Sequence, residues 1–264
     1  MFHGSWKWAQ NSKPLGRCAL ESHDLPEKQT LRVTRSLQAS QPRNRFKFMW
    51  IKICGVREIQ TAQAVAQAGA DAIGLNFYAQ SPRVVEPAVA AEIVAALKGS
   101  CEPIGVFVNH SVHEIRTICR QCRIQTVQLH GDEPPEQVSE LSIDFRVIRA
   151  IRVGAEGLGR AAAFLASCRG LGAMPWACLI DANVPGSFGG TGHTAPWGAI
   201  RREYKTAEWP PLILAGGLRP ENVAQAIAAV GPWGVDVAGG VESSVACKDP
   251  ALLRQFVVNA NVAR

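Results

Sequence analysis

Two segments of similar form, Leu214-Ala215-Gly216-Gly217-Leu218-Arg219-Pro220 and Val237-Ala238-Gly239-Gly240-Val241-Glu242, lie towards the end of the sequence. Each leads from a short apolar run into a pair of glycines, and the first then reaches a proline suited to the opening turn of a helix. Backbone amides in such strand-to-helix turns are unobstructed by side chains and bind anions. A matched pair of these turns favours a phosphate site over two simple tight turns.

From Met49 onward the chain alternates short apolar runs with longer segments of helical periodicity. The predicted strands are 51–54, 72–77, 104–108, 126–129, 145–151, 176–181, 212–215 and 235–238. The predicted helices are 58–68, 88–97, 112–122, 136–141, 155–168, 196–204, 220–230 and 250–259. Strict alternation of this kind predicts parallel strands that are joined by crossover helices.

Two folds share this alternation, a doubly wound sheet and a closed barrel. A doubly wound sheet usually carries its glycine-rich phosphate turn after the first strand, whereas here that strand ends in Cys54-Gly55-Val56-Arg57. A barrel has its phosphate site after strands seven and eight, which is where the paired glycines stand. The sequence therefore predicts an α/β fold, a (βα)8 TIM barrel that forms a single domain over residues 49–264.

Residues 1–48 differ from the rest of the chain in charge and pattern. The 264-residue sequence has a formal net charge of +6, and this segment holds nine Lys and Arg against three acidic residues. The remainder is therefore neutral, and nucleic acid is not expected as a partner. The segment also lacks sustained periodicity, which predicts a poorly ordered N-terminal extension. Either the natural start is Met49, or the extension is a targeting or regulatory tail.

The cysteines and the hydropathy pattern indicate the compartment. Eight cysteines are present, without the regular spacings of a disulfide framework, which favours free thiols in a reducing cytoplasm. The sequence lacks a run of 18 apolar residues, so no membrane partner is expected. We expect a cytoplasmic protein that is a monomer or a homodimer.

In a barrel, the active site is built from the carboxyl ends of the strands and the loops that follow them. Cys54 ends the first predicted strand just ahead of a helix, where amide dipoles can lower the pKa of a thiol, and it could then accept a proton. A small core residue is the ordinary role for such a cysteine. Lys52, Asn76 and His130 lie at or near the ends of the first, second and fourth predicted strands and are candidate substrate-binding residues, although a hydrogen-bonded structural role is the more usual one for such a histidine.

Asp181 closes the sixth predicted strand and is a candidate proton donor, with a helix cap or loop anchor as the alternative. The glycine-rich stretch 183–193 follows it and is suited to bring backbone close to a ligand. Arg83, in Ser81-Pro82-Arg83, is a cation on a rigid turn that could hold a carboxylate through two parallel hydrogen bonds. No His, Cys or Asp cluster has the spacing of metal ligands, so no metal site is predicted.

Seven ordered motifs from Met49 to the C-terminus resemble those of the phosphoribosylanthranilate isomerases. They are Lys52-Ile53-Cys54-Gly55, Gly74-Leu75-Asn76-Phe77 with Ser81-Pro82-Arg83, Gly105-Val106-Phe107-Val108-Asn109, Gln128-Leu129-His130-Gly131, Gly189-Gly190-Thr191-Gly192, Ala215-Gly216-Gly217-Leu218, and Gly234-Val235-Asp236-Val237 with Gly240-Val241-Glu242 and Lys248-Asp249. The sequence departs from the family where Ala238-Gly239-Gly240 replaces a frequent Ser-Ser-Gly.

The resemblance implies an Amadori rearrangement of phosphoribosylanthranilate in tryptophan biosynthesis, without a cofactor. It implies that Cys54 is the general base, Asp181 the general acid and Arg83 the clamp on the anthranilate carboxylate. It also implies that Gly216, Gly217, Gly239 and Gly240 hold the phosphate. Two alternatives are a related barrel lyase of the indole-forming step, which favours Lys and Glu as its acid and base, and a barrel that only binds a phosphorylated ligand.

Overall fold

The computed structural model describes residues 49–153, 157–182 and 197–263. The predicted extension 1–48 and the glycine-rich stretch 183–193 lie outside the described residues. Eight strands have the bounds β1 Trp50–Cys54, β2 Ala72–Asn76, β3 Glu102–Phe107, β4 Thr126–Leu129, β5 Arg146–Val153, β6 Ala177–Ala182, β7 Leu212–Leu214 and β8 Gly234–Val237. They form a closed parallel barrel in sequence order, with β8 paired to β1, and this confirms the predicted (βα)8 fold.

Eight helices follow the strands. They are α1 Ile59–Ala68, α2 Pro87–Leu97, α3 Val112–Cys122, α4 Pro135–Leu141, α5 Gly159–Gly170, α6 Trp197–Glu203, α7 Val223–Val230 and α8 Pro250–Val262. Helix α3 has a complete capping box, in which Ser111 and Glu114 each accept a backbone hydrogen bond from the other. None of the helices in the described ranges is long and apolar enough to cross a membrane.

One small element between β8 and α8 is absent from the sequence prediction. A 3-10 turn, Gly239–Val241, leads into a two-stranded antiparallel hairpin, β9 Glu242–Ser244 and β10 Cys247–Lys248. These strands are too short to show an alternating pattern in the sequence, which explains why periodicity does not reveal them. The hairpin lies at the carboxyl end of the barrel, where Ser244 and Val245 help to line the central cavity.

Alternate residues along the strands face two different apolar clusters, as the period of two in a strand requires. Outward residues such as Ile53, Val127 and Ile180 pack against the helices in the larger cluster. Inward residues such as Ile104 and Leu179 form a smaller cluster within the barrel. This parity also turns Lys52, Gln128 and Asp236 inward, which brings polar side chains into the barrel above the apolar layer.

Three tryptophans lie at the amino end of the barrel. Trp50 stacks on Trp233 with ring centroids 5.0 Å apart, and Trp176 meets Trp233 edge-on at 5.4 Å. They pack against the inner cluster, and Arg146 lies over the ring of Trp176. Because aromatic rings supply large apolar contact areas, this end of the barrel stabilises the fold, and the opposite end is left for a site.

Candidate active site

A cavity of about 770 Å³ opens at the carboxyl ends of the strands. Its lining includes all but one of the predicted site residues: Cys54, Asn76, Arg83, His130, Asp181, Gly216, Gly217, Gly239 and Gly240. Asp236 and Glu242, which the sequence alone does not mark as functional, also line it. The predicted residue that does not line the cavity is Lys52.

Lys52 is fully buried beneath Cys54 and does not reach the cavity. Its ammonium donates to Asp236 Oδ1 at 2.9 Å and also forms a hydrogen bond with the Cys54 thiol. Burial alone would lower the pKa of Lys52, but the charges and hydrogen bonds of Asp236 and Cys54 raise it overall. The structure therefore does not place Lys52 in the cavity lining, where a substrate-binding residue was expected, and its ammonium lies beside Asp236 and Cys54 instead.

The half-buried thiol of Cys54 lies in an environment that disfavours its ionisation. Burial raises the pKa of Cys54, and this effect outweighs the lowering by the ammonium groups of Lys52 and Lys248. The sequence predicted a lowered pKa from the amides of the next helix, and this prediction was wrong. Helix α1 begins only at Ile59, so the thiol does not lie at its N-terminus.

Arg83 is engaged by a carboxylate of the protein itself. Its Nε and Nη2 donate to Glu242 Oε1 and Oε2 at 2.8 and 2.7 Å. Lys248 also donates to Glu242 Oε1, at 2.7 Å. Burial alone would raise the pKa of Glu242, but the hydrogen bonds from Arg83 and Lys248 hold it below its ordinary value. A substrate carboxylate must therefore share the Arg83 guanidinium with Glu242 or displace it.

The loop that carries Arg83 is held by Asn76. Asn76 Oδ1 accepts from the amide of Tyr78, and its Nδ2 donates to Ser81 Oγ at 3.1 Å. Ser81 Oγ in turn accepts from the amide of Arg83. A Cβ at Gly55 would meet Arg83 Cδ at 2.5 Å, so the glycine after Cys54 makes room for the arginine stem. Asn76 lines the cavity, but both ends of its amide bind within its own loop.

Asp181 lies at the other side of the cavity, against His130. The distance from His130 Nε2 to Asp181 Oδ2 is 3.2 Å, and both side chains are largely buried. The second ring nitrogen, Nδ1, lies 2.8 Å from Nε2 of Gln128, which is fully buried on β4. Since an amide NH2 can only donate, Nδ1 accepts in this arrangement and Nε2 carries the hydrogen.

The loop that carries His130 is anchored by a buried ion pair that the sequence analysis did not identify. Glu133 accepts hydrogen bonds from the amides of Asn109 and Gly131, and its Oε2 accepts from Arg149 Nη1 at 2.5 Å. Arg149 also donates to the carbonyls of Leu129 and Gly131. These contacts fix the backbone on both sides of His130. The available signal was a charged residue, Arg149, inside the apolar predicted strand 145–151.

The two glycine turns lie against each other. A Cβ at Gly240 would be 1.8 Å from the carbonyl oxygen of Leu218, so a side chain there is excluded. Gly216 and Gly217 have φ angles of 88° and 67°, which favour glycine. Helix α7 begins at Val223, later than predicted, because the side chain of Asn222 binds the amide of Arg219 and the carbonyl of Gly217.

The turn after β7 is therefore closed by Asn222 and not by the first residues of a helix. The amides of Gly216 and Gly217 have no hydrogen-bond partner among the described residues. The amides of Gly239 and Gly240, which open the 3-10 turn, have no partner within that turn. Amides of this kind can receive an anion. In the part of the chain that the structure describes, no group of three or more His, Cys, Asp or Glu side chains is placed to hold a metal.

Comparison with known proteins identifies one family. The family model described as N-(5'phosphoribosyl)anthranilate (PRA) isomerase matches residues 51–259. The N-(5'-phosphoribosyl)anthranilate isomerase of Geotalea daltonii is 42% identical over 211 residues, which are 80% of this chain and 95% of that protein. The enzyme of Moorella thermoacetica is 44% identical over 207 residues, 78% of this chain and 87% of that one.

Solved structures give the same result. The phosphoribosyl anthranilate isomerase of Thermotoga maritima superimposes with a TM-score of 0.72 at 32% identity, covering 80% of this chain and 98% of that chain. Another such isomerase, in complex with reduced 1-(o-carboxyphenylamino)-1-deoxyribulose 5-phosphate, has a TM-score of 0.69 at 32% identity with the same coverage.

Proposed function

The chain belongs to the N-(5'-phosphoribosyl)anthranilate isomerase family, and from that premise we propose how its own residues carry out the reaction. It is an isomerase of tryptophan biosynthesis that performs the Amadori rearrangement of N-(5-phosphoribosyl)anthranilate to 1-(2-carboxyphenylamino)-1-deoxyribulose 5-phosphate. The observation that carries the proposed roles is that Cys54 and Asp181 line one cavity together with both glycine turns. In this proposal Cys54 is the general base and Asp181 is the general acid.

The reaction divides into two proton transfers. Asp181 protonates the ribose ring oxygen, the C1–O bond breaks, and the electron pair of the anthranilate nitrogen forms a C1=N iminium. The Cys54 thiolate then removes the proton from C2, and the C–H electrons form a C1=C2 enolamine while neutralising the iminium. Tautomerisation of the enolamine gives the ketone. Because the substrate nitrogen accepts the electrons, we propose that the enzyme acts without a cofactor.

The thiolate needs a cation beside it, and Lys52 supplies one. The 2.9 Å pair with Asp236 keeps the ammonium below the thiol, and the Lys52 charge opposes the rise in the Cys54 pKa that burial causes. The neighbouring iminium makes the C2 proton more acidic. A thiolate whose conjugate thiol has a raised pKa is, in addition, a stronger base. We therefore assign Lys52 a role in positioning and charging Cys54.

The two ends of the substrate carry negative charge, and the cavity offers a site for each. The free amides of Gly216 and Gly217, next to the turn at Gly239 and Gly240, are proposed to receive the phosphate. Arg83 is proposed to hold the anthranilate carboxylate through Nη1, which makes no hydrogen bond with any described residue. His130 and Asn76 complete the proposed substrate-binding surface.

The remaining expectations concern partners, location and domain organisation. One solved relative is described as monomers of a dimeric phosphoribosylanthranilate isomerase, and we propose that this chain is a monomer or a homodimer. The described cysteines are free thiols, which supports the proposed location in the cytoplasm. No nucleic-acid partner is proposed, since residues 49–264 carry no net charge. We further propose that this segment is the catalytic domain and residues 1–48 an extension outside it.

A direct assay tests the proposed activity. Loss of the fluorescence of N-(5-phosphoribosyl)anthranilate should follow addition of the purified chain, and the product should be the open-chain ketose. The rival lyase chemistry favours a lysine that reaches the substrate, whereas Lys52 is fully buried. Substrate that is bound but not consumed would support the alternative of a binding protein and overturn the proposed roles of Cys54 and Asp181.

A further inference from the structure

Gln128 has an unusual position for an uncharged polar residue. It lies inside the barrel on β4, its side chain is fully buried, and it does not line the cavity. Its Nε2 meets His130 Nδ1, while its Oε1 is buried without a hydrogen-bond partner among the described residues. A buried carbonyl oxygen left unpaired is unfavourable. An apolar side chain would avoid this cost, and the contact that the amide does make is its hydrogen bond to the His130 ring.

The hydrogen-bond donor on Gln128 matters because a histidine beside a carboxylic acid can accept the proton of that acid. An imidazole is ordinarily more basic than a carboxylate, so it tends to take the proton of a neighbouring carboxylic acid. His130 Nε2 lies 3.2 Å from Asp181 Oδ2. A general acid that had lost its proton to His130 could not protonate the substrate. The proposed role of Asp181 therefore requires that His130 be kept from accepting.

We propose that Gln128 is a positioning residue that holds His130 in its neutral Nε2–H tautomer, so that His130 donates to Asp181 and does not take its proton. In this arrangement the Gln128 amide occupies the lone pair on Nδ1, and the hydrogen on Nε2 points at the carboxyl group. Neither ring nitrogen is then free to accept. The hydrogen bond to Asp181 strengthens as negative charge develops there, which assists release of the proton to the substrate.

Other charged groups lie around this pair. On β5, Arg152 is in register with Asp181, and its guanidinium donates to the His130 carbonyl and to Asp132. Cys54 and Asp236 face the same cavity from β1 and β8. None of these groups touches Nδ1 of His130 in the described structure, where the partner is Gln128. The group that contacts Nδ1 therefore comes from β4, and the charged groups named above lie on other strands or loops.

The inference rests on the proposed role of Asp181, but its direct test does not use activity. We suggest ¹⁵N NMR of the imidazole nitrogens in the full chain at pH 7, with the His130 signals assigned by their loss in a His130→Asn variant. The expected result is a neutral ring protonated at Nε2. A ring protonated at Nδ1, or at both nitrogens, would mean that Gln128 accepts through Oε1 and would overturn the proposal.

Two variants of similar size separate a positioning role from a structural one. Gln128→Glu offers only acceptors to Nδ1, so it should shift His130 towards a form protonated there. It should lower kcat by roughly tenfold to a hundredfold, less than removal of the acid itself, with KM unchanged. Gln128→Met removes the hydrogen bond and should give a mixture of tautomers with a smaller loss. Equal kcat losses in both variants with an unchanged tautomer would overturn the proposal.

Gln125→Glu is the matched control, since Gln125 precedes the same strand and its side chain is exposed. It should keep both the tautomer and kcat of the parent chain. If Gln128→Glu does not fold, the parent spectrum and Gln128→Met still decide the matter. A parent chain with the Nε2–H tautomer but no isomerase activity would refute the proposed function and leave the tautomer assignment intact. An active chain whose His130 ring is protonated at Nδ1 would refute the tautomer assignment and leave the proposed function intact.

Discussion

The two sides of the cavity hold their proton-transfer groups by different means. The base wall, which we define as Lys52, Cys54, Asp236 and the group of Arg83, Glu242 and Lys248, consists of buried charges in contact with one another. The acid wall, defined as Gln128, His130 and Asp181, is a chain of side-chain hydrogen bonds that ends at one carboxyl group. In the proposed mechanism, the base wall acts through charge and the acid wall through the direction of its hydrogen bonds.

This difference follows from the task of each group. A base must lose its proton before it acts, and cations beside a thiol favour the anion. An acid must keep its proton until the substrate arrives, so its neighbours must neither accept that proton nor leave the resulting anion unpaired. We therefore expect the base wall to respond mainly to changes of charge, and the acid wall to changes of hydrogen-bond donor and acceptor.

The largest effect is expected from removing the reacting group of either wall. Cys54→Ala and Asp181→Asn should each lower kcat by about 10²- to 10⁴-fold, the usual contribution of one positioned proton transfer. KM should change little, because neither group is proposed to bind the charged ends of the substrate. Steady-state kinetics with N-(5-phosphoribosyl)anthranilate measures both. The control is Cys247→Ala, which removes an exposed thiol on β10. Near-normal kcat in Cys54→Ala would show that another residue is the base.

The charge on the base wall is tested by its effect on pH dependence. Because burial raises the pKa of Cys54 above its ordinary value, kcat/KM should rise with pH throughout the neutral range and level off only in the alkaline range, where the thiolate predominates. Lys52→Met removes a cation that lowers this pKa, so the rise should move to higher pH. Asp236→Asn removes a carboxylate that raises it, so the rise should move to lower pH. At a pH well below the pKa, the thiolate fraction falls about tenfold when the pKa of the thiol increases by one.

The two variants should move the pH profile in opposite directions, and this makes the test specific. A variant that only loosens the fold lowers activity without moving the pH dependence in a direction set by the removed charge. Profiles of kcat/KM against pH for the parent and the two variants supply the comparison, with circular dichroism as a check of folding. Movement of the profile in the same direction in both variants would contradict the view that Lys52 and Asp236 act on Cys54 through their charges.

The sequence predicted which residues lie at the ends of the strands, but it could not predict which side chains they would contact. Cys54, Asp181 and the glycine turns stand where the apolar periodicity stops, which is a local signal. Lys52 meets Asp236 across 184 residues, and Arg83 meets Glu242 across 159. Such pairs form because closure of the barrel brings β8 next to β1, and the hairpin after β8 next to the loop after β2. The sequence therefore identified Arg83 as a cation for a carboxylate but could not show that Glu242 already holds it.

The glycine turns line the same cavity as Cys54 and Asp181. A change in these turns should alter substrate binding more than the proton transfers. Gly217→Asp places a negative charge where the phosphate is proposed to bind and should raise KM by at least about tenfold, which corresponds to about 1.4 kcal/mol. Gly217→Asn is the matched control, since asparagine has a similar size and also tolerates positive φ. The difference in KM between the two variants isolates the charge. Equal KM values would place the phosphate elsewhere.

The smallest effect is expected from removing residues 1–48, because the residues that define both walls all follow Met49 in the sequence. Among the described residues, those that line the cavity run from Cys54 to Leu252, and Met49 is buried directly before β1 with 2% of its surface exposed. A chain that begins at Met49 should therefore keep the kcat/KM and the Tm of the full chain. A shorter chain with its initiator methionine directly before Ile51 lacks Trp50, which stacks on Trp233, and its Tm should fall. A folded Met49 chain that lost most of its kcat/KM would show that the extension belongs to the catalytic unit and that the domain boundary proposed here is misplaced.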